Sequence, residues 1–86
     1  MDELAQLKLA VLSALDQFGE RAVWDDNVFR AARLKVSPRR LPRADFKVVM
    51  LALQIEGAIT GAPGALGQTA WKITATGRAI LAELLP

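Results

Sequence analysis

The stretch from Asp45 to Leu85 constrains this chain most. An apolar helical pattern ends in Leu53-Gln54-Ile55-Glu56-Gly57-Ala58-Ile59, a glycine-rich connection follows, and a second helical pattern opens at Ile73-Thr74-Ala75-Thr76-Gly77-Arg78. Between them, Ala58, Ile59 and Thr60 before the glycines and Ala70, Trp71, Lys72 and Ile73 after them alternate as two short strands of an antiparallel hairpin do. Pro63, Gly64 and Gly67 supply the fixed and positive backbone angles of a loop, and Gly61 lets the first strand leave the sheet. Thr74 is expected to cap the last helix, its hydroxyl accepting an orphan N–H of the first turn. Gly77 is expected where that helix crosses another element closely, and Trp71 as a packing residue at the junction of sheet and helix.

The pieces Leu53-x-x-x-Gly57-x-Ile59 and Trp71-Lys72-Ile73-Thr74-x-x-Gly77-Arg78-x-x-Leu81, with the glycine-rich loop between them, resemble the C-terminal half of winged helix-turn-helix domains such as MarR-type and PadR-type regulators. The resemblance covers about half the chain. It implies that the helix before the hairpin is a recognition helix, the hairpin a wing and the Thr-x-x-Gly-Arg segment the start of a closing helix. Winged helices also serve as protein-interaction modules, so the resemblance speaks to fold before function.

With 86 residues, 52% of them hydrophobic, the chain is expected to form one domain over residues 1–86, near the lower size at which a single core suffices. It has no cysteine and no histidine, which excludes disulfides, cysteine-bearing zinc sites and histidine acid–base chemistry. The nine carboxylates have structural roles to fill, Asp2, Glu3, Asp25 and Asp26 at helix starts among them. Gly61-x-x-Gly64-x-x-Gly67 lacks the lysine and hydroxyl residue that finish a phosphate loop. No enzyme, cofactor or small-molecule substrate is therefore expected. Apolar runs fall short of the ~18 residues of a membrane span, and the acidic N-terminus is unlike a secretory signal. The expected location is the cytoplasm.

The net charge of +2 conceals an asymmetry. From Arg30 to Lys47 seven basic residues face one acid, a net +6, while the remainder of the chain carries −4. Concentrated positive charge of this kind is the footprint of phosphate binding.

Ahead of the organising stretch, Leu4, Leu7, Val11, Leu15 and Phe18 fall on one face of a helix from Met1 to Phe18, which Gly19 ends. Leu12 lies at the margin of that face and Leu9 well off it, exposed or packed on a second subunit. Ala22 to Trp24 reads as a brief strand able to join the hairpin as its third member. Asp25 is placed to cap a second helix running to about Leu34, with Trp24 and Phe29 set for a hydrophobic staple across its start. That helix should bury Val28, Phe29 and Ala32. Pro38 and Pro42 cannot share one regular helix, so roughly seven residues separate the second helix from a third beginning at Pro42 or Arg43. A compact helix-turn-helix uses about three or four. Ser37-Pro38 is able to start one extra turn carrying Arg39 and Arg40.

The third helix, to Glu56, has two apolar stripes: Phe46, Val49, Met50 and Leu53 on one side, and Ala44, Val48, Leu51 and Ile55 on the other. Arg43, Lys47 and Gln54 form a polar line between them, with Asp45 and Glu56 opposite. One stripe is expected to meet the core; the other must meet the second helix or a partner. The expectation is a mainly α winged helix-turn-helix with a small three-stranded sheet, acting as a dimeric DNA-binding transcriptional regulator. Arg39, Arg40, Arg43 and Lys47 would contact the phosphates of double-stranded DNA and Gln54 a base. The alternative is a protein-assembly module, a homodimer or a complex with another protein, in which Val48, Leu51 and Ile55, with Leu9, form the interface.

Overall fold

The structure, a computed structural model, describes residues 3–36 and 41–85, the side chain of Ala65 excepted. Asp2, the Ser37-Pro38 turn start, Arg39 and Arg40 lie outside the described residues. In chain order come α1 (Glu3–Gln17), β1 (Val23–Trp24), α2 (Asp25–Arg33), α3 (Arg43–Ile55), β2 (Ile59–Pro63), a single 3-10 turn (Ala65–Gly67), β3 (Thr69–Ile73) and α4 (Ala75–Leu84). The result is a mainly helical domain with one small antiparallel sheet, ordered β1-β3-β2.

α1 packs against α2, α3, α4 and β3, which is why it buries more than one stripe. Leu7, Val11 and Leu15 are buried as their spacing predicts, but so are Ala10, Leu12 and Ala14, and Leu9 packs partly against the same core. A helix surrounded on several sides buries residues that a one-faced reading leaves at the margin. Leu4, by contrast, is 44% exposed.

The β1 strand does join the hairpin: Val23 pairs with Trp71 and Trp24 with Ala70. Its short pairing completes a sheet in which Ile59 opposes Ile73 and Pro63 opposes Thr69. Gly61 stays in register opposite Trp71 rather than releasing β2 from the sheet. The reason for glycine there is steric, since a Cβ would sit 2.7 Å from the Trp71 ring. Gly64 likewise has an ordinary negative φ of −103° and makes room for the Trp24 ring, while the positive angles of the turn fall on Leu66 and Gly67.

α3 ends in a tight reversal that sets the position of the hairpin. Gly57 adopts φ +79°, its N–H donates to the Gln54 carbonyl, and the Ala58 N–H reaches back to the Leu53 carbonyl at 2.9 Å. These are the paired bonds of a Schellman ending, which needs a left-handed residue where glycine stands. Thr74 then fastens the far end of the sheet. Its hydroxyl accepts from the Gly77 N–H at 3.0 Å and has the Gly57 and Ala58 carbonyls at 2.6 and 2.9 Å to donate to. Thr74→Ala is expected to cost about 1–2 kcal/mol, and Thr74→Ser much less, in chemical denaturation, because only the hydroxyl makes the cap.

α2 begins one residue before the position its sequence suggests. Trp24 occupies the N-cap without a side-chain cap bond, so Asp25 is the first helical residue, and its carboxylate accepts the Trp71 indole N–H at 2.9 Å. The staple partners also find other neighbours, Trp24 over Gly64 and Phe29 edge-on to Phe46, with ring centroids 5.0 Å apart. At the other end of the molecule Arg78 of α4 bonds Glu20 at 2.8 Å and approaches Asp16 at 3.4 Å; the Glu20 bond holds its guanidinium more firmly in the charged form.

Candidate nucleic-acid interface

α3 is divided lengthwise by the 100° step of an α-helix into four strips of different chemistry. Phe46, Val49, Met50 and Leu53 are buried against the core, as their spacing predicts. On the opposite side Val48, Leu51 and Ile55 are 61, 58 and 77% exposed, and Ala44 is exposed with them. α2 does not cover this side. It meets α3 along the edge of the core, through Phe29 and Phe46, and at the start of α3, through Arg43.

Between these two sides run polar strips of opposite sign. Lys47 and Gln54 are exposed and, with Met50, Leu51, Gly67, Thr69 and Trp71, line a cleft of about 440 Å³ between α3 and the hairpin. Asp45 and Glu56 lie on the strip turned toward α1, where Glu56 forms an ion pair with Lys8. Leu4 extends the apolar side, since it shares with Val48 the hollow between α1 and α3.

Arg43 behaves differently from its neighbours on the polar line. Its guanidinium forms an ion pair with Asp26, lies 3.8 Å from Asp25 and stacks 4.4 Å from the centre of the Phe29 ring. It is also 5.8 Å from Phe46, and Arg33 approaches the other reach of Phe29 at 5.5 Å. Arg43 thus clamps the start of α3 to the start of α2. A half-exposed guanidinium with two carboxylates and an aromatic face beside it is largely engaged within the molecule. Sequence spacing signals only half of this cluster, the Phe29 to Arg33 step of four along one helix.

Of the residues expected to meet DNA, then, Lys47 and Gln54 are together and open, Arg43 is close by but tied inward, and Arg39 and Arg40 lie outside the described residues. Of those expected to meet a protein, Val48, Leu51 and Ile55 share one face. Leu9 is on another part of the surface, lining a hollow with Gln6, Lys35, Val36 and Leu85. Arg30, Arg33 and Lys35 are exposed along and just after α2; Arg33 lies by Phe29, near the start of α3, while Lys35 faces the hollow shared with Leu9 and Leu85.

Among the described residues, no group of three or more carboxylates is placed to hold a metal ion, and no helix is long and apolar enough to cross a membrane. Set against protein-family models, curated proteins and solved structures, the chain matches none of them.

Proposed function

We propose that this chain is a winged helix-turn-helix domain that binds double-stranded DNA and acts as a small transcriptional regulator, with α3 as recognition helix and the β2–β3 hairpin as wing. The observation that carries the reading is the open outer side of α3, beside a hairpin, with Lys47 and Gln54 on the edge between them. The order helix, two strands, helix from α3 to α4 supports it, being the order implied by the resemblance in the C-terminal half. The concentration of basic residues from Arg30 to Lys47 supports it again. In this reading Lys47, Arg39 and Arg40 neutralise phosphates, Gln54 reaches a base edge, and Arg43 positions the recognition helix from within.

The test is fluorescence anisotropy of a labelled duplex of about 30 base pairs titrated with protein across a salt series. Neutralising about three phosphates with these basic residues predicts a log–log slope of roughly −3. Arg39→Glu combined with Arg40→Glu is expected to abolish that binding while leaving the sedimentation mass unchanged. Absence of binding at low salt, or an unaffected double variant, would overturn the assignment.

A second reading, a winged helix used for protein assembly, rests on the exposure of Val48, Leu51 and Ile55. It requires a mass above that of one chain, and Leu51→Asp would restore the monomer.

A further inference from the structure

The most exposed strip of α3 is apolar, which is unusual for a helix proposed to enter a polar groove, and its chemistry restricts what it can recognise there. We infer that Ala44, Val48 and Leu51 read thymine methyl groups, so that the preferred duplex is rich in A·T pairs in the segment facing α3. This inference rests on the DNA-binding reading and adds to it the class of site.

Every base pair shows hydrogen-bonding atoms in the major groove, but only thymine adds an apolar group, its C5 methyl. An alkyl side chain pressed over guanine or cytosine removes water from N7, O6 or N4 and returns no hydrogen bond, which is unfavourable. Over thymine the same side chain meets a methyl group and both are removed from water. Val48 and Leu51 are well placed for this, since more than half of each is exposed and their side chains stand on the side of α3 farthest from the core. From Ala44 to Leu51 the helix advances about 10 Å, close to three base-pair steps of 3.4 Å each.

The flanks of the strip are consistent with DNA as its occupant. On one side Lys47 supplies positive charge and Gln54 carries the amide that pairs with adenine N6 and N7, so a thymine contact and an adenine contact lie side by side. On the other side lie the carboxylates of Asp45 and Glu56; Lys8 neutralises that of Glu56, and Asp45 stands half-buried in the hollow toward α1.

The deciding experiment uses the full chain and two duplexes of identical A·T-rich sequence, one with thymine and one with uracil throughout. The exchange removes the C5 methyl and leaves hydrogen bonds, charge and base pairing in place. Each methyl buried is worth about fourfold in affinity, so two contacts predict a preference of roughly fifteenfold for the thymine duplex. The salt slopes of the two should be equal, and Leu51→Ser should reduce the preference while keeping the slope. Binding of both duplexes with the expected slope and equal affinity would sink this inference and leave the DNA-binding reading standing. Binding of neither at low salt would remove both. A dimer that Leu51→Asp dissociates would also overturn it, since a second copy would then cover the strip.

Discussion

Replacing Gly77 with leucine is expected to unfold the domain, or to lower its melting temperature by more than about 15 °C in a far-ultraviolet circular dichroism melt. A Cβ at this position would lie 2.1 Å from the Ala58 carbonyl oxygen, 3.0 Å from the carbonyl carbon and 2.8 Å from Ile73 Cγ1. The nearest obstacle is backbone, and it is held from several sides. The same carbonyl accepts the Thr74 N–H at 3.0 Å and is within 2.9 Å of the Thr74 hydroxyl, while the Ala58 N–H is bound to Leu53 in the ending of α3. Moving Ala58 aside to admit a side chain therefore breaks the joint between α3, the sheet and α4 together. Overpacking costs about 1–3 kcal/mol by itself. Loss of two hydrogen bonds adds about 1 kcal/mol each, and for a domain of this size each kcal/mol is worth roughly 4–8 °C. Gly77→Ala offers a graded test. Alanine favours a helix over glycine by about 1 kcal/mol, so a net loss of stability in this variant isolates the steric term. An unchanged melting temperature in the leucine variant, or a raised one in the alanine variant, would mean that α4 does not cross Ala58 this closely.

Phe46→Ala is expected to destabilise the fold by about 3–5 kcal/mol in urea denaturation, the range for deleting a buried aromatic side chain. Phe46 is 1% exposed, its ring meets Phe29 edge-on at an interplanar angle of 67°, and the Arg43 guanidinium lies over the same pair. Truncation leaves a cavity beneath the clamp that joins α2 to α3, so part of the loss is that of the aromatic pair, about 0.5–1.5 kcal/mol. The contrast with Leu51→Asp on the same helix makes the experiment decisive. Leu51 is 58% exposed, so this change should alter the stability of the monomer by no more than about 0.5 kcal/mol. A large, concentration-dependent effect of Leu51→Asp would instead reveal an assembly through the outer side of α3. Similar costs for the two variants would mean that the two sides of α3 are wrongly distinguished.

The order of elements was legible because the signals for it are local. The spacing of Leu7, Val11 and Leu15, the alternation ending at Ile73, Thr74 before a helix, and Gly57 after one each act within a few residues of where they stand. The close approach at Gly77 was legible for a related reason, since a glycine inside a helical pattern needs a packing explanation. Several roles were not. Asp25 looks like a helix cap in sequence, yet it serves the indole of Trp71, a residue 46 positions away. Gly61 looks like a strand terminator, yet it is the hollow into which the same tryptophan fits. Arg43 looks like a free cation, yet it is bound to Asp26, 17 positions away, and to Phe29.

For the candidate site the division is similar. Periodicity alone separated α3 into two apolar stripes with a polar line between them, because side-chain direction along a helix depends only on the 100° step. Which of those stripes is buried, and that α2 leaves the other open, depends on how α1, the sheet and α2 close around the helix. The same closure decides which polar groups remain available, engaging Arg43 and Glu56 and leaving Lys47 and Gln54 beside the hairpin. The sequence by itself determined the elements, most of their ends and the periodic stripes along each helix, since those follow from backbone angles and bonds spanning a few residues. Tertiary structure decided which face is hidden and which charge is spoken for, since burial and ion pairing depend on atoms that are far apart in the chain and adjacent only once it has folded.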